Sequence, residues 1–260
     1  MAVDESTGGR LAGRAAIVTG ASRGIGLAIV RRLVAEGAQV CMTARNAEQL
    51  GAAASTLDPD SVLPIVGKAN DPVARAAVLA KVAERFGRLD ILVNNVAISP
   101  AYGQLIDLDL EAARKIIDVN VLSTLAWTQA VWHDPALGFR EHGGSVINIS
   151  SVAGEVPSPG IGMYGVSKAA IAHLTRTLAA ELGPDVRVNA VAPAIVKTQF
   201  ARVLYEGRED EVAAMYPLKR LGTPEDVAST VAFLASPDAS WITGQVVTLD
   251  GGLLSAGGRA

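Results

Sequence analysis

The chain has 260 residues, half of them hydrophobic and 19% charged, with 26 glycines and a net charge of −3. That composition suits a large buried core with many tight turns and excludes a disordered chain. With no block of five like charges and no uninterrupted apolar run of 18 residues, neither a nucleic-acid nor a membrane partner is expected. Cys41 is the only cysteine and the three histidines are scattered, so neither a disulfide nor a metal site is expected. Met1 to Arg14 is polar, without the apolar core of a secretory leader, and the expectation is a cytoplasmic protein.

Short β-branched runs alternate with longer periodic segments. Strands are predicted at 15–19, 39–43, 61–66, 91–94, 145–149, 187–191 and 246–249, and helices at 25–36, 47–56, 73–86, 110–133, 163–182 and 224–236. Runs such as AAIVT and ILVN are apolar on both faces, as strands covered by helices on both sides should be. The pattern predicts a single α/β doubly wound domain, spanning the whole chain, with about seven parallel strands and helices on both faces. Glu36 closes the first helix and reads as solvated surface. Residues 194–221 form a long charged stretch after the sixth strand, where such sheets bind ligands, and read as a substrate lid.

Between the first strand and first helix stands Thr19-Gly20-Ala21-Ser22-Arg23-Gly24-Ile25-Gly26. Glycines there permit a tight turn and close backbone approach to a pyrophosphate, which the helix N-terminus would hold through its free N–H groups. Gly20, Ser22, Arg23, Gly24, Ile25 and Gly26 are therefore candidate dinucleotide-binding residues. The second strand ends Met42-Thr43-Ala44-Arg45-Asn46, without the carboxylate that would accept hydrogen bonds from an NAD ribose. Arg45, with Arg23 beside it, can instead pair with a 2′-phosphate, which points to NADP(H), with NAD(H) as the alternative.

Tyr164 and Lys168 stand four apart on one helix and share a face. A phenol ionises near 10, too high for efficient proton exchange at neutrality, and a neighbouring ammonium lowers that value. Ser151, thirteen residues before Tyr164 at the end of the INISS strand, can hydrogen-bond a substrate oxygen beside the phenol. Asn120, taken alone, is a polar residue inside an apolar helix.

TGASRGIG, NNVA from Asn94 to Ala97, DVNV around Asn120, INISS and YGVSK, in this order and spacing, resemble the short-chain dehydrogenase/reductases from about Gly13 to Gly252. The likeness is greatest to the branch that includes 3-oxoacyl-carrier-protein reductases. The resemblance implies hydride transfer between a nicotinamide and a carbonyl or secondary alcohol, with Tyr164 as general acid/base and Ser151 positioning the carbonyl. Lys168 would hold the ribose hydroxyls and lower the Tyr164 pKa, and Asn120 would bend its helix and relay protons to Lys168 through a water. Asn94, Pro193 and Thr198 join the cofactor-binding candidates by the same resemblance. It implies a homotetramer or homodimer, and a substrate that is a small carbonyl or alcohol, with an acyl-carrier-bound 3-oxoacyl thioester among the options. An alcohol, steroid or sugar dehydrogenase using NAD(H), or a dinucleotide-binding regulator without turnover, stands as the alternative; the chain is too short for the C-terminal substrate domain of a nucleotide-sugar epimerase. Four positions depart from the family pattern: Val96 and Ala97 for Ala-Gly, Ala194 for the Gly after Pro193, and Lys68 near the slot of an adenine-binding Asp, with Ala69, Asn70 and Asp71 following.

Overall fold

The computed structural model describes residues 9–258, so most of the polar N-terminal stretch lies outside the described residues. Seven strands form one parallel sheet: β1 (Ala15–Thr19), β2 (Gln39–Ala44), β3 (Val62–Val66), β4 (Ile91–Asn94), β5 (Ser145–Ile149), β6 (Arg187–Pro193) and β7 (Val246–Leu249). Their order is β3-β2-β1-β4-β5-β6-β7, and every pairing is parallel. The order reverses between β1 and β4, and the carboxyl ends of these two strands open a crevice there.

The helices are α1 (Gly24–Ala35), α2 (Ala47–Ala54), α3 (Pro72–Phe86), α4 (Leu110–Ile117), α5 (Ser123–His133), α6 (Gly162–Leu182), α7 (Glu209–Ala214) and α8 (Pro224–Ala235). Strand side chains alternate between two cores, as the period of two requires. Val18, Met42, Val93 and Ile147 pack with α1 and α8 on one face. Ile17, Cys41, Leu92 and Val146 pack with α3, α5 and α6 on the other. This is the doubly wound architecture that the strand–helix alternation predicts. No helix among the described residues is long and apolar enough to cross a membrane.

Two sequence expectations change, and a third segment shows structure of its own. The helix expected over 110–133 is two helices joined by a π-helical turn, Asp118–Leu122. Residues 194–221 contain α7 and a small core of their own, in which Val212, Tyr216 and Leu221 are buried against Leu253. Glu36 is not solvated surface: it is 8% exposed. Its carboxylate accepts from Arg10 at 2.6 Å and from Arg32 at 2.5 Å. Those two guanidiniums outweigh its burial and hold the acid below its usual range.

Candidate active site

The crevice is a cavity of about 740 Å³ along the carboxyl ends of the strands, within the range of small-molecule sites. At its β1 end lies the glycine turn, with Gly20 at φ +66° and Gly24 at φ +55°, conformations that side-chain-bearing residues rarely adopt. A Cβ at Gly26 would sit 2.3 Å from the Gly20 carbonyl oxygen, so the turn folds this tightly only with glycine there. Asn95 holds the turn from β4: its Nδ2 donates to the carbonyls of Thr19 at 2.9 Å and Gly20 at 3.1 Å. No side chain caps α1 and its first turn has no carboxylate, so its N–H groups are left for an anion facing Ser22 to Gly26.

Of the other cofactor candidates, Arg45, Pro193 and Thr198 line the cavity. Arg45 is exposed and, among the described residues, has no ion-pair partner. Arg23 also lines it, but its guanidinium donates to the Gln199 side-chain oxygen across the crevice rather than standing free beside Arg45. Asn94 does not reach the cavity. It is buried, and its Nδ2 donates to Asn148 Oδ1 at 3.0 Å beneath the floor, while the wall is formed by its neighbour Asn95. Lys68, Ala69 and Asn70 line the β3 end, whereas Asp71 is turned away to cap α3 through the N–H of Val73.

Ser151, Tyr164 and Lys168 meet at the β5 end. Ser151 lies two residues past β5, and its hydroxyl donates to the Pro193 carbonyl at 3.3 Å. A Cβ at Gly165 would lie 2.6 Å from the Ala153 carbonyl oxygen, so glycine lets α6 approach the Ser151 segment closely. Tyr164 is half-buried, and its phenol is pushed up to about 12: burial is the main cause, the Ser151 hydroxyl opposes it, and Tyr102 adds to it. Lys168 is 1% exposed, and burial alone pulls it down from 10.5 to about 7. Its Nζ donates to the Ile149 carbonyl at 2.6 Å and lies 5.5 Å from the centre of the Tyr164 ring. Burial thus disfavours the charged form of both groups, the Lys168 ammonium and the Tyr164 phenolate.

Asn120 lies fully buried in the π turn. Its Oδ1 accepts from the Ile98 N–H at 2.8 Å, and its Nδ2 donates to the Ile98 carbonyl and to Ser167 Oγ, each at 3.0 Å. Ser167 in turn donates to the Tyr164 carbonyl at 2.6 Å. The Thr124 hydroxyl donates to the Asn120 carbonyl at 2.9 Å. Asn120 thus ties the loop after β4 to the helix that carries Tyr164 and Lys168. Sequence reading missed Ser167, Asn95 and Gly165.

Comparison with known proteins meets this geometry. Residues 20–254 match the family model described as enoyl-(acyl carrier protein) reductase. The dehydrogenase/reductase SDR family member 4 of Bos taurus is 41% identical over 250 residues, covering 93% of this chain and 88% of that protein. Its counterpart in Caenorhabditis elegans is 37% identical, covering 94% of this chain and 96% of that one. The chain belongs to the short-chain dehydrogenase/reductase family. Among solved structures, a short-chain dehydrogenase/reductase described as glucose/ribitol dehydrogenase from Brucella melitensis superimposes with a TM-score of 0.88. It is 32% identical, with 95% of this chain and 98% of that one covered. A further short-chain dehydrogenase/reductase family protein gives a TM-score of 0.84 at 35% identity.

The chain is thus an oxidoreductase of a family that uses nicotinamide dinucleotides on small molecules. The cavity fits such a cofactor: a glycine cradle that a Cβ would fill, an open helix N-terminus, and cations with no Asp or Glu among the lining residues.

Proposed function

We propose that this protein is an NADP(H)-preferring reductase of ketones or aldehydes, running in reverse on secondary alcohols. The observation that carries the reading is the end of β2, where Arg45 stands exposed beside Ala44 and no carboxylate lines the cavity. A 2′-phosphate there meets a guanidinium, where an NAD ribose would need an acid. Gly20, Ser22, Gly24, Ile25 and Gly26 would hold the pyrophosphate through backbone N–H groups, Arg23 would reach the ribose phosphate by releasing Gln199, and Pro193 and Thr198 would wall the nicotinamide end.

The bound dinucleotide supplies a hydride to the carbonyl carbon. Ser151 hydrogen-bonds the carbonyl oxygen and holds it against the Tyr164 phenol. With its pKa near 12, Tyr164 is protonated at neutral pH and is the acid that reduction requires. As the C=O double bond gives way to a C–H and an O–H bond, the phenol proton passes to oxygen and Tyr164 is reprotonated from the side of Lys168. Lys168 also holds the ribose hydroxyls, and Asn120 positions the loop and helix around them.

A regulator without turnover has no use for a Ser151 hydroxyl paired with the Tyr164 phenol in the crevice. The 194–221 segment closes over substrate as a lid. Copies of the chain associate as a dimer or tetramer, which would cover the exposed Leu122, Val166 and Trp241. The test is NADPH oxidation with a panel of carbonyl compounds, for the parent and for Tyr164→Phe. The variant should lose more than about a hundredfold in kcat and still bind NADPH, because general acid–base catalysis contributes roughly that much. Turnover within a few-fold of the parent sinks the assignment.

A further inference from the structure

Granting that reading of the site, we propose that its substrate is an uncharged, predominantly apolar ketone or aldehyde taken as a free molecule, not an oxo acid and not a thioester presented by an acidic carrier protein. The cations of the cavity are segregated. Arg45 and Lys68 stand at the ends of β2 and β3, where the dinucleotide would lie, while Arg23 follows β1 with its guanidinium engaged by Gln199. Lys115 belongs to the same end: it pairs with Asp118 at 3.7 Å, and Asp118 accepts from Asn70 just after β3 at 2.7 Å.

The rest of the lining includes Tyr102, Val152, Ile161, Phe200, Leu204 and Met215, with the uncharged Ser99 and Gln199 among its polar members. The Phe200 ring centre lies 6.0 Å from that of Tyr164, which places an aromatic face beside the reacting carbonyl. Tyr102, Phe200 and Met215 are 58%, 48% and 55% exposed, an apolar rim open to solvent. Of the cations that reach this side, Lys168 Nζ already donates to the Ile149 carbonyl and the Arg23 guanidinium to the Gln199 side-chain oxygen, so neither stands free. A substrate carboxylate would be desolvated here without a counter-ion, which is strongly unfavourable.

The outer rim offers no attraction for an acidic carrier protein either. Residues 194–221 hold five cations and four carboxylates. Lys197 pairs with Glu209, Arg202 with Glu206 and Arg208 with Glu211, while Arg220 pairs with Asp226 on α8 at 2.6 Å. Lys219 donates to the Ala214 carbonyl at 2.9 Å. A surface neutralised pair by pair has little long-range field with which to steer an acidic partner.

The experiment compares kcat/KM with NADPH for 2-pentanone, 2-heptanone and 2-nonanone, for the 2-oxo acids of equal length, and for an acetoacetyl thioester on an acyl carrier protein. Burial of successive methylenes should raise kcat/KM about three- to fourfold each. Each oxo acid should fall at least about a hundredfold below its ketone. Phe200→Ala should flatten the ladder through KM, and Met215→Lys should narrow the gap between oxo acid and ketone. A flat ladder, or preference for the oxo acid or the carrier thioester, overturns the proposal while leaving carbonyl reduction in place. Calorimetry on the NADP⁺ complex separates the two readings. If 2-heptanone binds there and 2-oxoheptanoate does not, yet nothing is turned over, the substrate inference stands and hydride transfer falls. If the oxo acid binds more tightly, the inference falls whatever the turnover.

Discussion

Lys168 gives a prediction in which a buried side chain of the candidate site weakens the fold that holds it. In the native protein its pKa drops from 10.5 to about 7, with burial as the only cause. Between these values the unfolded chain binds a proton that the native chain does not, so stability must rise with pH through that window; below about 7 both states are charged and the full penalty of burial is present. Each factor of ten in proton affinity is about 1.4 kcal/mol, so the lysine costs about 5 kcal/mol at pH 6 and about 2 kcal/mol at pH 9. Lys168→Met keeps the volume and removes the charge, at the cost of an unpaired Ile149 carbonyl worth about 1–3 kcal/mol. The variant, free of cofactor, should therefore be more stable than the parent by about 2–4 kcal/mol at pH 6 and about equal to it at pH 9. For a chain of this size that is roughly 5–15 °C in Tm at pH 6. The difference between the two pH values, about 3 kcal/mol, does not depend on what the Ile149 carbonyl costs, since that carbonyl does not titrate. Thermal and denaturant unfolding of both proteins at the two pH values measure it. A gain that is the same at pH 6 and pH 9, or no gain at either, refutes the argument that Lys168 is held against its charge.

Three further outcomes follow from the same geometry. Arg45→Ala should weaken NADPH roughly ten- to a hundredfold and leave NADH nearly unchanged, since one charged hydrogen bond is lost; equal losses for both, titrated at one ionic strength, remove the phosphate role. Gly26→Ala forces a methyl into the Gly20 carbonyl and the Asn95 amide, so it should destabilise the fold by about 1–3 kcal/mol and abolish dinucleotide binding. Alcohol oxidation needs the Tyr164 phenolate, and with the phenol near 12 its kcat/KM should climb between pH 6 and pH 9 while carbonyl reduction does not; oxidation that is flat, or faster at pH 6, contradicts a protonated Tyr164.

The sheet was legible because runs such as AAIVT and ILVN are apolar on both faces, and because each is followed by a helical segment. The glycine turn, Ser151, Tyr164 and Lys168 were legible because they lie at strand ends or within one helical turn, where local spacing dictates proximity. Glu36 was not. Its partner Arg10 lies 26 residues away, and Asp238, which shares that arginine, lies far beyond, so only the tertiary fold shows that the acid closing α1 is enclosed. The 110–133 stretch failed for a different reason. A π turn inserts one residue into a helix without interrupting its apolar composition, and DVNVL carries no Gly or Pro to mark the break.

Asn94 and Asn95 show how a local rule settles a choice that a motif leaves open. Strand side chains alternate, and Ile91 and Val93 face the layer of α1 and α8 while Leu92 faces that of α3, α5 and α6. Asn94 must share the side of Leu92, and it does: its amide lies 3.5 Å from Thr128 on α5 and donates to Asn148, which in turn donates to Thr175 on α6. That chain of polar groups joins two strands to two helices beneath the catalytic floor. Asn95 falls one step later, where the strand ends and its side chain turns back over Thr19 and Gly20. Two adjacent asparagines therefore divide the work between fixing the floor under Tyr164 and Lys168 and fixing the turn that receives the dinucleotide, and counting by twos from Ile91 is enough to tell which is which.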